Sequence, residues 1–568
     1  MDDETMNPRM NSTTLFAKYS IFLMFLMFVS LVSCSKESSP TNTPKIFSLE
    51  TSVTPSNAGT VTPSSGQYDQ GETVEISAEP NLDHRFLEWQ GDANGTENTI
   101  SVTFNSDKSI NAIFEEYPEP SMELPGYEAS ALPKLKIYVD LGYQIVDEPK
   151  NPAQMRIIED GERTYAGQIG IEYRGSTSQG LFEKKSYGIE TWDGFENDKD
   201  ESLLGYPEEE DWVLHGPYSD KTLMRNAVIM RLSNAIGRYA SRTKFVELEL
   251  DGSYEGVYLF MENIKRDKNR VNITKLDEDE NSPEEITGGY ILKIDKTAGD
   301  NDAPGWAGDA SYPEALGFRS VFSAFGDSLE YPAHGEKRPE ETYILYEEPD
   351  WEDITDQQKE YVETYIYDFE RALLNDDFSD IEGERAYEQY IDVPSFVDYM
   401  LLNEFAKNAD AFRISTYMHK DRGGKLKMGP IWDFNLSQGN DFGGYRQQPE
   451  LWIHEYNQYI PNDTWLIPFW WERLMQDPKF RKAVRIRWQA LRQSELSDSQ
   501  LFGLIDEIQR YLTDDRAVER NFLRWDILGQ EIWGNNFVGQ TYEEDVDFMR
   551  QWYVQRLAWL DAEIATFE

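Results

Sequence analysis

Four prolines, Pro118, Pro120, Pro125 and Pro133, sit close together and split the chain into two textures. Proline fixes its own backbone and removes an N–H donor, so 117–133 reads as a stiff linker rather than part of a sheet or helix. Before it, over 46–116, the pattern has period two. Val74, Ile76 and Ala78 alternate with polar residues, as Val102 and Phe104 alternate with Ser101 and Thr103. Turn residues at Pro55-Ser56-Asn57, Pro63-Ser64-Ser65-Gly66 and Asn94-Gly95 punctuate these runs, which makes an all-β unit. After the prolines the texture is mixed. Lys136-Ile137-Tyr138-Val139 and Gly170-Ile171-Glu172-Tyr173 read as strands, and 245–262 as a hairpin turning at Asp251-Gly252. Thr355 and Gln358 form a capping-box pattern that opens a helix to Leu374, striped by Val362, Tyr365, Ile366, Phe369 and Leu373. A further helix starts at Pro394 and runs towards Asn408, and the tail over 515–567 is helical in texture. Strands early and helices late predict an α+β domain over 134–568 that is large enough for two lobes.

Charge narrows the partners. Lys and Arg total 54 against 104 Asp and Glu, a formal charge of −50, which repels phosphate backbones and argues against nucleic acid. The single cysteine rules out an intrachain disulfide or a cysteine-based zinc site, and the five histidines form no His-x-x-x-His pair. That cysteine closes a distinctive leader. Arg9 and Lys18 precede an apolar run over 21–32, too short to span a bilayer comfortably, that ends in Leu31-Val32-Ser33-Cys34. The segment resembles a bacterial lipoprotein signal peptide over 1–33 with lipidation at Cys34, followed by a polar tether over 34–45. The alternative is an ordinary signal peptide with a coincidental cysteine. Lipidation implies a chain held to the bacterial cell envelope and facing an extracytoplasmic space, at the outer membrane or cell surface.

The order Gly59-Thr60-Val61, Tyr68, Gly71-Glu72, Ala78-Glu79-Pro80, Phe86-Leu87-Glu88-Trp89 and Ile110-Asn111-Ala112-Ile113-Phe114 resembles the internalin B-type repeat of bacterial surface proteins. The resemblance implies a small β-sandwich-like spacer with Phe86 and Trp89 in its core.

Four later segments combine charge with glycine and aromatic residues. The first is Tyr173-Arg174-Gly175-Ser176-Thr177-Ser178-Gln179-Gly180 followed by Lys184-Lys185-Ser186-Tyr187. A strand, a small-residue loop and paired lysines can surround phosphate oxygens with donors, although such loops also serve as plain turns. The second holds Arg225-Asn226. In the third, 254–267, Glu262 falls on the Tyr258/Phe260 face of a strand, where a carboxylate needs a cationic partner. The fourth runs from Asn403 through Asn408 and Asp410 to Ser415, then to Trp432-Asp433-Phe434-Asn435.

This ordered set, with Gly288-Gly289-Tyr290, resembles the CotH family of spore-coat-protein-H-like atypical kinases from about 135 to 567. The resemblance implies a degenerate, two-lobed protein-kinase-like fold that takes ATP with Mg2+ or Mn2+ and phosphorylates Ser or Thr of an envelope or surface protein. It assigns Lys185, with Lys184 as the neighbouring alternative, to the nucleotide phosphates and Glu262 to orienting that lysine. Arg174, Ser176, Ser178 and Arg225 join the nucleotide site. Asp410 corresponds to the catalytic-loop aspartate and Asp433 to the metal-binding aspartate of an Asp-Phe-Gly motif. Two positions depart from the pattern. Ser415 stands where a catalytic loop carries its metal-binding asparagine, and Asn435 replaces the glycine. Ser415, Asn435, Asn408 or water then complete the metal shell. These departures favour a second reading, a non-catalytic pseudokinase-like scaffold or adhesin; taken singly, Asp410 and Asp433 also fit helix or turn caps. A third reading, carbohydrate binding or hydrolysis, is prompted by Trp452, Trp465, Trp470 and Trp471 beside Glu450 and Glu472.

Overall fold

The computed structural model describes residues 45–568 apart from 82–83, 121, 141, 298–302, 306, 309–310, 330–336 and 380–385. The leader, Cys34 and nearly all of the tether lie outside the described residues.

Period-two alternation folds the first unit into two facing sheets. One has the order Ser65–Asp69, Ile46–Thr54, Lys108–Glu116, His84–Gly91, and the other Gly59–Thr62, Thr73–Pro80, Thr99–Thr103. Between them lie Leu49, Ile76, Phe86, Trp89, Phe104, Ile110 and Phe114, a core to which, among the described residues, the rest of the chain adds nothing. The first strand pairs in parallel with the last, so the unit closes only once both ends are present.

The proline stretch does not hang free as a spacer. Tyr117 stacks on Tyr138 with ring centroids 3.9 Å apart, and Tyr127 is buried with its hydroxyl on Glu249. The Pro125 carbonyl accepts from Arg520 at 2.9 Å, and the Ser130 hydroxyl meets Asp515 at 2.6 Å. The same Arg520 is fully buried in a two-point ion pair with Glu247, at 2.7 and 2.8 Å. The linker is thus packed between a strand and a C-terminal helix.

Beyond it, seven strands close into a barrel: Glu162–Arg174, Ser186–Thr191, Asp211–His215, Ser253–Glu262, Thr243–Leu250, Lys134–Val139 and Asn151–Glu159. Leu135, Ile137, Met155, Ile171, Ile189, Trp212, Leu248 and Phe260 fill its interior. The alternate residues Val257, Leu259 and Met261 face outward into the main helical core. The hairpin turns at Asp251 and Gly252, both at positive φ (48° and 74°), as a two-residue turn requires.

The second half is built on a five-stranded antiparallel sheet of order Gly317–Ser323, Glu341–Glu348, Tyr290–Ile294, Thr416–Lys420, Leu426–Met428, backed by helices. The helix Asp356–Leu374 opens with the expected capping box on Thr355 and Gln358. Val393–Ala406 starts from Asp392, whose carboxylate accepts the Ser395 N–H at 2.9 Å, and ends at Lys407 in the left-handed region (φ 45°). The order of strands early and helices late is incomplete, because these sheet strands alternate with helices. The helical tail is two helices, Ala517–Arg524 and Tyr542–Ile564. From the last, buried Arg556 donates to the Glu404 carbonyl and carboxylate, and Glu404 in turn accepts the N–H groups of Ile453 and His454. The architecture is α+β with an all-β N-terminal region. Among the described residues, no helix is long and apolar enough to cross a membrane.

Candidate functional site

A cleft of about 750 Å³ opens between the barrel and the second sheet. Its walls come from far-apart segments: the barrel loop Arg174–Gln179, the end of strand Tyr290–Ile294, the turn that follows helix Val393–Ala406, and the segment around Asp433.

The loop begins where strand Glu162–Arg174 ends. Gly175 sits at φ +96°, and a β-carbon there would lie 2.4 Å from the Ser178 hydroxyl, so the sharp reversal needs glycine. Arg174, Ser176 and Ser178 all line the cleft, and the Arg174 guanidinium lies 5.5 Å from the Trp432 ring centroid.

Asp410 and Asp433 share the cleft. Lys407 ends its helix with its ammonium on the carbonyls of Tyr445, Gln448 and Glu450. The chain then turns so that Asn408 bridges the two acidic segments. Its Oδ1 accepts the Asp410 N–H at 3.2 Å and its Nδ2 donates to the Asp433 carbonyl at 3.1 Å. Asn226 completes the frame from helix Arg225–Ala235, accepting the Phe434 N–H at 2.7 Å. Arg413 holds Asp410 at 3.2 Å and Asp463 at 3.3 Å. Burial, then the charges of Asp410 and Asp295, push the Asp433 carboxyl up to about 7. Nearby, Asn435 Oδ1 is buried without a hydrogen-bond partner. A carboxylate short of positive charge beside a bare oxygen is the donor set a hard divalent cation accepts, so the residues present fit Mg2+ or Mn2+.

The lysines and Glu262 do not join this group. Lys184 is buried, donating to the Val257 carbonyl at 2.6 Å and to Asn521 at 2.9 Å, and burial pulls its pKa well below the usual lysine range. Lys185 donates to the Gln179 and Phe182 carbonyls, tying down the loop from behind. Glu262 has its expected cationic partner, but it is Arg242 at 2.7 Å, with Arg270 at 3.8 Å, and not Lys185. Arg225 is likewise turned away, locked to buried Asp220, and it is the adjacent Asn226 that reaches the site. Ser415 lines the cleft in the left-handed region (φ 49°).

Sequence reasoning missed Lys293, Asp295 and Lys296. Lys293 lines the cleft and pairs with Glu347 of the neighbouring strand at 2.6 Å, which outweighs burial and holds its pKa above the ordinary value. Lys296 donates to Thr177 at 3.0 Å, joining the barrel loop to the sheet. The signal was present: a lysine interrupts the apolar run Tyr290-Ile291-Leu292, as Glu262 interrupts its own strand. At the mouth, Phe442 and Trp533 are 41% and 42% exposed and pack edge to face at 4.6 Å. Trp470 and Trp471 are core residues, whereas Trp465 lines the cleft.

A family model described as CotH kinase protein matches residues 171–560, most of the chain. The chain belongs to the CotH family. The match spans every cleft residue named above; Asp147 and Glu148, which also line the cleft, precede it. A second model, the divergent InlB B-repeat domain, matches residues 49–118, the two-sheet unit ahead of the CotH domain. None of the curated proteins matches the chain.

Proposed function

We propose that the cleft is the active site of a CotH-type atypical protein kinase that transfers the ATP γ-phosphate to Ser or Thr of extracytoplasmic proteins. In this reading the barrel is one lobe and the second sheet with its helices the other. The observation that carries it is the convergence of Asp410, Asp433 and the bare Asn435 oxygen on one cleft, opposite a loop of Arg174, Ser176 and Ser178. Asp433 and Asn435 would hold Mg2+ or Mn2+, which when bound neutralises phosphate charge. Lys293, braced by Glu347, takes the phosphate-clamping role that the resemblance gave to Lys185 and Glu262. Asp410 accepts and orients the attacking hydroxyl, and Arg413 fixes its carboxylate. The N-terminal repeat and the family both fit a surface-associated protein, held by lipid at Cys34.

One observation favours the scaffold reading: Lys184, Lys185, Arg225 and Glu262 are all engaged inside the protein. Calorimetric titration of the full mature chain with ATP and Mg2+ or Mn2+, beside a labelled-ATP transfer assay, decides. Binding with self-phosphorylation supports the kinase; no binding with either metal leaves the scaffold.

A further inference from the structure

In a protein-kinase catalytic loop the second metal ligand is an asparagine five residues beyond the catalytic aspartate, and here that position is Ser415. We propose that Asp295, from a different strand, supplies the missing ligand. The inference rests on the kinase reading of the cleft.

Strand register brings the two residues together. Tyr290–Ile294 pairs antiparallel with Thr416–Lys420, Ile294 opposite Thr416, so Asp295 is carried to the place opposite Ser415. The Ser415 backbone N–H donates to the Asp295 carboxylate. An acid therefore lies against the residue that carries a hydroxyl where the catalytic-loop pattern has an amide. Alternation sends Leu292 and Ile294 into the core and leaves Lys293 and Asp295 lining the cleft. The two ammoniums nearby have other partners, Lys293 on Glu347 at 2.6 Å and Lys296 on Thr177 at 3.0 Å. Asp295 and Asp433 line one cleft, near enough for the Asp295 charge to act on Asp433, and Asn435, with its unpartnered oxygen, lines the same space. Oxygen donors from two carboxylates and one amide, with phosphate oxygens completing the shell, suit Mg2+ or Mn2+. A charged ligand from the sheet thus stands in for a neutral one from the loop. Ser415→Asn should then gain nothing, because its place in the shell is taken.

The test is Mn2+ binding to the full mature chain, with and without ADP, followed by electron paramagnetic resonance and calorimetry. Asp295→Asn keeps an acceptor for the Ser415 N–H and should fold, as checked by circular dichroism, yet lose at least tenfold in Mn2+ affinity. Asp295→Glu, which keeps the charge but displaces it, should lose affinity as well and serves if the first variant misfolds. Wild-type affinity in either folded variant, while Asp433→Asn is impaired, overturns the role of Asp295 and leaves the kinase reading standing. Failure of the wild-type chain to bind Mn2+ with or without ADP overturns both.

Discussion

Asp433 carries two opposed demands. Its carboxyl is raised from 3.8 to about 7, first by burial and then by Asp410 and Asp295. Between those values the folded state holds a proton that the unfolded state has released, so this group makes stability fall as pH rises through that window. Asp433→Asn removes the burden. In metal-free buffer the variant should melt above the wild type at pH 8 and close to it near pH 4, a difference that thermal scans at both pH values measure. The same change deletes the anionic ligand proposed for the metal, so Mg2+-dependent nucleotide affinity should drop at least tenfold by calorimetry. Asp410→Asn should behave differently. It keeps nucleotide affinity within about threefold while transfer falls by orders of magnitude, because orienting a hydroxyl matters mainly in the transition state. Loss of binding in Asp410→Asn would place that residue on the metal instead.

At the scale of elements, the motif Tyr254-x-Gly256-Val257-Tyr258 is a docking device. Gly256 sits at φ +92° beside a register shift in its hairpin, and a β-carbon there would come 2.5 Å from Asn521 Oδ1. That oxygen also receives the Val257 N–H and the Lys184 ammonium, fastening helix Ala517–Arg524 to the barrel. Gly256→Ala should destabilise by about 2 kcal/mol or more in denaturant titration, combining backbone strain with a displaced side chain. Lys184→Ala should cost about 1–3 kcal/mol while the folded fraction binds nucleotide as the wild type does. If Lys184→Ala abolished binding without affecting stability, the lysine would belong to the site after all. The hairpin, the capping box on Thr355 and Gln358, and the strands near Lys136 and Gly170 were legible because each depends on neighbours in sequence. So were the acids Asp410 and Asp433. What escaped was the pairing across elements. Nothing local states that Lys185 faces the back of its loop, that Glu262 meets Arg242, or that register sets Asp295 opposite Ser415. These follow from barrel closure and strand order, which pattern reading does not determine.

Among the described residues, the repeat has a core separate from those of the barrel and the helical region, and the linker that follows it packs into the latter part of the molecule. Deleting 45–116 should therefore leave nucleotide binding intact and the main melting transition within a few degrees of the full chain. Extending the deletion to 133 removes Tyr127 and Ser130 from the network around Glu247, Glu249, Asp515 and Arg520. Buried charges stripped of partners cost several kcal/mol, so the longer deletion should lower the melting temperature markedly or prevent folding, as differential scanning calorimetry would record. Equal melting of both truncations would mean that the linker is dispensable.

Arg556 gives this architecture a temporal dimension. By the time residue 470 has left the ribosome, every acid of the cleft has been made, yet the turn that presents Asp410 follows a helix whose Glu404 waits for a guanidinium on Arg556, far downstream. Trp533 at the mouth and Asn521, whose helix docks on the barrel, arrive almost as late. A chain threaded outward from its N-terminus thus travels with its chemistry unassembled, and the cleft comes into being only when the last helix docks. Truncation near the C-terminus, far from any reacting group, should silence the site as completely as the loss of Asp433.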